Sequence, residues 1–414
     1  MIPDPALFLR SLFDRAVEVA DPMRSLAAFL PEKPKGRTLV IGAGKASARM
    51  AEAVESAWGP CRGLVITRYG YGRPCMGIEI VEAAHPVPDQ AGVDATQRML
   101  ALLDALTEDD FVLALISGGA SALLCAPAEG MTLAEKQQVN AALLASGAPI
   151  VAMNTVRKHL SRVKGGQLSA AAYPAKLLSL MISDVPGDDP AFIGSGPTVG
   201  DATTHADACA ILDRWSISVP QSARAALNQS GVVPRGDQRL SRTENVIYAA
   251  PAQSLAAAAE LAAPLADVRT LGDRIEGEAR EVAREQAAMA VDIATSLKRG
   301  DRPVLLLSGG ELTVTRTGDG IGGPNAEFCL ALAIALDGHR SIHAIACDTD
   351  GVDGAAEVAG AIIGPDTLLT PGAAEALARN DAHTYFASAL AQVVTGPTLT
   401  NVNDFRAILI LPPG

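Results

Sequence analysis

The sequence predicts an α/β protein of two domains, and three observations carry that expectation. Apolar strands recur ahead of glycine turns that open helices, most plainly around 38–47 and 111–121. The run Phe111–Ile116 is apolar throughout rather than alternating, as a strand covered on both sheet faces is. The chain, at 414 residues, is also long enough for two separate hydrophobic cores.

Taken in order, residues 6–20 read as an amphipathic helix with Leu9, Leu12, Phe13, Ala16 and Val17 on one side. Thr38–Ile41 is a short strand, and Gly42-Ala43-Gly44-Lys45-Ala46-Ser47 opens the next helix. That order aims backbone N–H groups and a helix dipole at an anion. The Gly-x-Gly-x-x-Ser spacing approaches the dinucleotide fingerprint, which also wants an acidic residue about 20 positions on. Here the next strand, 63–67, ends at Arg68, so a nicotinamide cofactor is disfavoured, with an NADP-type partner left open. No Gly-x-x-x-x-Gly-Lys-Ser/Thr occurs. Lys45 reads equally as an exposed first-turn lysine or a phosphate-side charge. His85, in the loop 81–89, reads first as a histidine bonded to local backbone and only then as a ligand or base. Strand 111–116 runs into Ser117-Gly118-Gly119-Ala120-Ser121, where glycines allow close approach or a left-handed turn and the serines favour an oxygen-rich ligand.

The chemistry is expected to centre on 154–198. Read as one helix, Met153, Val156, Leu160 and Val163 form an apolar stripe, and Asn154, Arg157, Ser161 and Lys164 a polar one, with Lys158 and Arg162 beside it. Residues 157–164 hold five Lys, Arg or His in a chain of net charge −12. Strand 177–182 then delivers Ser183-Asp184-Val185-Pro186-Gly187-Asp188-Asp189, followed by Gly194-Ser195-Gly196-Pro197-Thr198. A solvated basic face and an Asp/Pro/Gly turn are the plain readings. Side by side, cations for an anionic substrate and carboxylates for a hard metal ion are what phosphoryl transfer requires.

Beyond Thr198 the expected elements are helices within 201–243, a domain boundary near the loop 231–238, a strand 245–249 and helices 252–263 and 276–298. The domains are then 1–240 and 241–414. Strand 304–307 enters Ser308-Gly309-Gly310-Glu311, an echo of the loop at 117–119, and Thr395-Gly396-Pro397-Thr398 echoes 194–198. Gly322-Gly323-Pro324-Asn325 opens a helix, strand 342–347 delivers Asp348, Asp350 and Asp353, and 395–404 is a polar loop before a last strand, 407–411.

Acidic net charge and 4% aromatics argue against a nucleic-acid partner. No apolar run reaches membrane-span length and no secretory signal is visible, which points to the cytoplasm. Six scattered cysteines without a Cys-x-x-Cys pair argue against a zinc site or disulfide framework.

These blocks, in this order, resemble the class II glycerate kinases, the glycerate 2-kinase family with a MOFRL-type C-terminal part. The likeness rests on 42–46, 117–121, 154–166, 183–198, 308–311, 322–327, 349–354 and 395–404. It implies a Rossmann-like N-terminal domain with a parallel sheet, a smaller α/β MOFRL-type domain and an active site in the cleft between them. It implies ATP as co-substrate, Mg²⁺ and D-glycerate phosphorylated on its 2-hydroxyl. Lys45, Arg157, Lys164, Asp184 and Asp350 are the expected catalytic residues, and Asp188 and Asp189 the metal ligands. Gly44, Ser117, Gly118, Gly119, Ser121, Asn154, Lys158, Ser195, Gly196, Glu311, Asn325, Asn401 and Asn403 are expected to bind substrate or nucleotide. Many members have arginine where this chain has Pro324, so no guanidinium role carries over there. The main rival is a hydroxypyruvate reductase using NAD(P)H; a third is a metabolite-binding protein without turnover.

Overall fold

The computed structural model describes residues 2–354 and 356–414. The chain divides into two compact units, Pro22–Tyr248 and Met1–Asp21 with Ala249–Gly414. The first contains β1 (Thr38–Ala43), β2 (Arg62–Arg68), β3 (Ile78–Ala83), β4 (Phe111–Ile116), β5 (Lys176–Ile182) and β6 (Thr243–Ala249). They form one sheet in the order β3-β2-β1-β4-β5-β6. β1 to β5 pair in parallel, and this is the strand order of a doubly wound dinucleotide-binding fold. Every residue of β4 is buried, which is why its sequence does not alternate.

Strand order reverses between β1 and β4, where such sheets place ligands. Two loops leave the carboxyl ends there. Gly44 has φ +143°, and a Cβ on it would lie 2.0 Å from Ser117 Oγ, so only glycine lets the loops close on each other. Helices pack against this sheet through Ala95, Met99, Leu103, Leu168 and Ala172. A second apolar cluster, around Val139, Leu143, Val156, Leu160, Leu212 and Leu227, holds the helices Leu133–Ala145, Ile150–His159, His205–Arg214 and Gln221–Leu227 together.

The second unit contains β7 (Asp267–Gly272), β8 (Gly277–Glu278), β9 (Val304–Gly310), β10 (Leu312–Thr313), β11 (Ile342–Asp348), β12 (Gly360–Ile363), β13 (Gln392–Val393) and β14 (Asp404–Ile410). Its six-stranded sheet runs β13-β12-β11-β14-β9-β7, with β7 and β9 parallel and the other neighbours antiparallel. β8 and β10 make a separate two-stranded ribbon. Alternate residues of β9 serve opposite faces, as a two-residue repeat dictates. Leu305 and Leu307 meet the helices Pro5–Ala20 and Pro251–Ala262, while Val304 and Leu306 meet Ala279–Ser296 and Pro324–Leu336.

Four expectations change. Residues 5–20 form the helix expected, but its Leu9, Leu12, Phe13 and Ala16 join the core of the unit built from 249–414, not that of 22–248. β7 was not expected, because Asp267, Arg269 and Thr270 on it face solvent and break any strand-like apolar pattern. Ser308-Gly309-Gly310 lies inside β9, paired with Asp404–Arg406, so it is no counterpart of the loop at 117–119. The basic helix stops at His159 rather than running to Lys164. There the chain turns to pair with 126–128, through Ala128 N–H to the Leu160 carbonyl and Arg162 N–H to the Ala126 carbonyl. Gly165 and Gly166 follow at φ +57° and +79°. Arg157 and Lys164 therefore do not share a helix face.

Candidate active site

A cavity of about 590 Å³ opens in the unit 22–248 beside the β4 loop. Its walls come from His85–Pro88, from Gly119, Ser121 and Ala122, from Lys136 to Leu144 on one helix, and from Arg157, Lys164 and Ser195. Five predicted residues, Gly119, Ser121, Arg157, Lys164 and Ser195, thus line one space although they span 77 positions of sequence. A Cβ on Gly119 would lie 3.1 Å from Lys45 Cγ and 3.2 Å from the His85 ring, which places both side chains against that glycine.

The charge on the walls is one-sided. Lys136, Arg157 and Lys164 are cationic, and no carboxylate is among the described lining residues. Lys164 is 2% exposed and its Nζ donates to the carbonyls of Ser121 (2.8 Å) and Leu124 (3.4 Å). Burial, reinforced by the charges of Lys136 and Arg157, lowers its ammonium to about 7. Lys136 is lowered by burial and then by Arg157, and donates to the Leu160 carbonyl at 3.2 Å. Burial also lowers Arg157, whose Nη1 reaches Asn154 Oδ1 at 3.3 Å while its buried Nε has no partner. A buried donor without an acceptor is costly, and with Lys136 and Lys164 beside it this wall is suited to an anion.

Several predicted residues do other work. Ser117 is fully buried, with its Oγ accepting from Ala46 N–H and meeting Ser47 Oγ, each at 3.1 Å. The Gly118 carbonyl accepts from Lys45 N–H at 2.8 Å, and the Gly196 carbonyl from Gly166 N–H at 2.8 Å. Lys158 is engaged within the protein. Its ammonium sits 2.5 Å from buried Asp201 and over the Phe192 ring. Glu311, Asn325, Asp350, Asn401 and Asn403 belong to the other unit. There Asn325 Nδ2 donates to Asp404 Oδ1 at 2.7 Å, and Asp350 Oδ1 accepts from Val352 N–H at 2.8 Å. Asn401 Oδ1 accepts from Asn403 N–H at 3.1 Å, and Asn403 Oδ1 from Asp404 N–H at 2.8 Å. Pro324 starts its helix, and the Asp353 carboxylate accepts from the N–H groups of Asn325 and Ala326 at that end.

The aspartates expected to hold a metal are not on the cavity wall, so Arg157 and Asp188 do not converge in this space. Asp189 is exposed and its Oδ1 accepts from Ala191 N–H at 2.9 Å. Asp188 has φ +54°, and its buried Oδ1 has no partner. No cluster of three or more His, Cys, Asp or Glu suited to a metal occurs among the described residues. A magnesium ion held by one or two carboxylates, water and substrate phosphates needs no such cluster, so the orphaned Asp188 oxygen fits it.

Sequence reasoning missed Lys136, Gln137 and Asn140. They lie on a helix whose polar residues resemble any solvated face, and only its contact with the 157–164 segment makes them functional candidates.

A doubly wound sheet carrying a cationic cavity, linked to a mixed-sheet α/β unit, defines a two-domain α/β protein. Residues 8–228 match the domain of unknown function DUF4147, and residues 304–404 match the MOFRL family. A D-glycerate 2-kinase of Thermotoga maritima is 37% identical over 96% of each chain. The crystal structure of glycerate kinase from the same organism superposes with TM-score 0.88 at 35% identity, covering 98% of this chain and 99% of that one. A protein of Agrobacterium vitis named as a hydroxypyruvate reductase is 51% identical over 97% of this chain and 94% of its own. The chain belongs to the class II glycerate kinase family.

Proposed function

We propose that the protein transfers the terminal phosphoryl group of ATP to the 2-hydroxyl of D-glycerate, giving 2-phosphoglycerate and ADP, with Mg²⁺ accompanying the nucleotide. The observation that carries this reading is the cavity of three cations with no carboxylate among its described lining residues, a wall suited to an acid or phosphate ester. Family membership supplies the reaction class.

In this reading the substrate carboxylate meets Arg157, whose planar fork suits a carboxylate or phosphate, and Lys164. Ser121 and Ser195 hydrogen-bond substrate oxygens, and Lys45 adds charge beside Gly119. The 2-hydroxyl oxygen bonds to the terminal phosphorus as the bond to the bridging oxygen of ADP breaks; the hydroxyl proton passes to a base, with Asp184 as the candidate in this unit. The walls need mainly to position the reactants and neutralise charge that spreads over phosphoryl oxygens. Magnesium, when bound, would offset charge on the nucleotide phosphates, with Asp188 as the proposed ligand.

The name borne by the Agrobacterium vitis relative raises a reductase as second reading. Against it, β2 ends at Arg68, whose guanidinium lies 5.2 Å over the Tyr71 ring, where a dinucleotide fold would offer an acid to the ribose. Incubation of the purified protein with D-glycerate and Mg·ATP, with the product identified by phosphorus NMR, tests the proposal. Formation of 2-phosphoglycerate is expected. No phosphorylated product, together with hydroxypyruvate-dependent NAD(P)H oxidation, would replace the kinase reading with the reductase.

A further inference from the structure

We infer that the cationic cavity selects a phosphomonoester of a hydroxy acid over the free acid, and that Lys136 sets this preference. The inference rests on the kinase reading and deepens it: the occupant is the phosphorylated product. The charge count leads there. Lys136, Arg157 and Lys164 face one space, and no carboxylate among the described lining residues offsets them. Glycerate brings a single negative charge, fewer than the wall carries even with Lys164, at about 7, only part protonated near neutral pH. A phosphomonoester adds about −1.5 to −2 near neutral pH and three strong acceptor oxygens. Phosphate and carboxylate on one three-carbon acid therefore nearly balance the wall.

The unused donors agree with the charge. An ammonium has three N–H donors. Lys136, 4% exposed, gives one to the Leu160 carbonyl. Lys164 gives two, to Ser121 and Leu124. The buried Nε of Arg157 gives none. Gln137, Asn140, Ser121 and Ser195 add neutral hydrogen-bonding groups on the same walls. At about 590 Å³ the cavity has room for such an ester with water. Burial holds the Lys136 ammonium below its ordinary value, a cost that a dianion relieves. A product held this way competes with glycerate and leaves slowly.

Isothermal titration of the full-length protein without nucleotide tests this, with 2-phosphoglycerate, D-glycerate, inorganic phosphate and metal-free ATP as separate ligands. The expected result is 2-phosphoglycerate binding at least about tenfold more tightly than glycerate. Lys136→Met should lose about tenfold or more of the ester affinity but under about threefold of the glycerate affinity, and Lys136→Arg should restore most of the loss. Because the ligand comparison is made on the unmodified protein, it stands even if Lys136→Met fails to fold. Equal affinities for ester and acid, or an unchanged ester affinity in folded Lys136→Met, would overturn the inference. Inorganic phosphate binding as tightly as the ester would overturn it in favour of a free-anion site, and displacement of the ester by ATP in favour of a nucleotide site. Ester binding by a protein that never phosphorylates glycerate would keep the cavity assignment and overturn only the reaction.

Discussion

The hydroxyls of Ser121 and Ser195 meet at 2.8 Å across 74 positions of sequence. The contact ties the loop after β4 to the loop after β5, and the same Ser121 offers its carbonyl to Lys164. One small residue thus sets the relative place of a hydroxyl pair and an ammonium on the cavity wall. Ser195→Ala removes the pair without touching the apolar core. A neutral hydrogen bond is worth about 0.5–1.5 kcal/mol, so kcat/KM for glycerate should fall roughly two- to tenfold. Steady-state kinetics check this, and an unchanged kcat/KM would remove the pair from substrate positioning.

Arg157 makes one hydrogen bond, to Asn154, and its buried Nε has no acceptor. Its charge is a cost to the folded protein that an anionic ligand would relieve. Arg157→Ala should therefore lower kcat/KM about 10²-fold or more while leaving the melting temperature near that of the unmodified protein. Arg157→Lys should recover only part of the loss, because an ammonium lacks the planar fork. Kinetics alongside thermal unfolding separate the two effects; a variant that melts much lower but turns over normally would assign Arg157 to the fold.

Lys164 gives two pH signatures. Its ammonium is lowered from 10.5 to about 7 by burial, then by Lys136, Arg157 and Lys158. Between about 7 and 10.5 the unfolded chain holds a proton at this residue that the folded chain has released. Folding stability therefore rises with pH across that window, and below about 7 the full cost of the buried ammonium is present. Lys164→Met should flatten this rise in urea unfolding measured from pH 6 to 9. An anionic substrate favours the charged form, so kcat/KM for glycerate should decline as pH passes upward through about 7. A profile flat to pH 9 would separate Lys164 from substrate binding.

Asp188 is the test of the metal reading. Its buried Oδ1 accepts from no group of the protein. Asp188→Asn should raise the magnesium concentration needed for half-maximal rate, by about tenfold if one charged ligand is lost. A magnesium titration of the rate reads this directly, and an unchanged midpoint takes Asp188 off the ligand list.

Much of this was legible in the sequence where local pattern and tertiary role coincide. Phe111–Ile116 announces a doubly covered strand because every residue on it is buried, and Gly44 announces a close approach because Ser117 stands where its Cβ would be. The site was legible only in part. Arg157 and Lys164 share the cavity, yet a helical repeat was the wrong reason, since the chain leaves the helix at His159 to pair with 126–128. Nothing local separates Lys136, which faces the cavity, from Lys158, which is bound to Asp201. Both are lysines on helices in polar runs; what distinguishes them is a carboxylate 43 positions away. Helix 5–20 likewise shows an apolar face without showing which core it serves.

That distinction yields the last prediction. Lys158 and Asp201 are 5% and 8% exposed, and Asp201 also accepts from the Thr203 N–H and hydroxyl. Burial would raise the Asp201 carboxyl, but the bonds from Lys158 and Thr203 outweigh it and hold it below its ordinary value. Removing one partner strands the other charge, so Lys158→Met should destabilise the protein by about 3–5 kcal/mol. Lys158→Met combined with Asp201→Leu should recover most of that loss, because a buried ion pair is often no more stable than an apolar pair of similar volume. Urea unfolding of the two single variants and the double variant closes the cycle. Glycerate KM in whatever folded fraction remains should stay within about threefold, as expected of a residue that acts on the fold and not on the ligand. Additive losses without recovery would break the pairing, and a large rise in KM at unchanged stability would return Lys158 to the substrate.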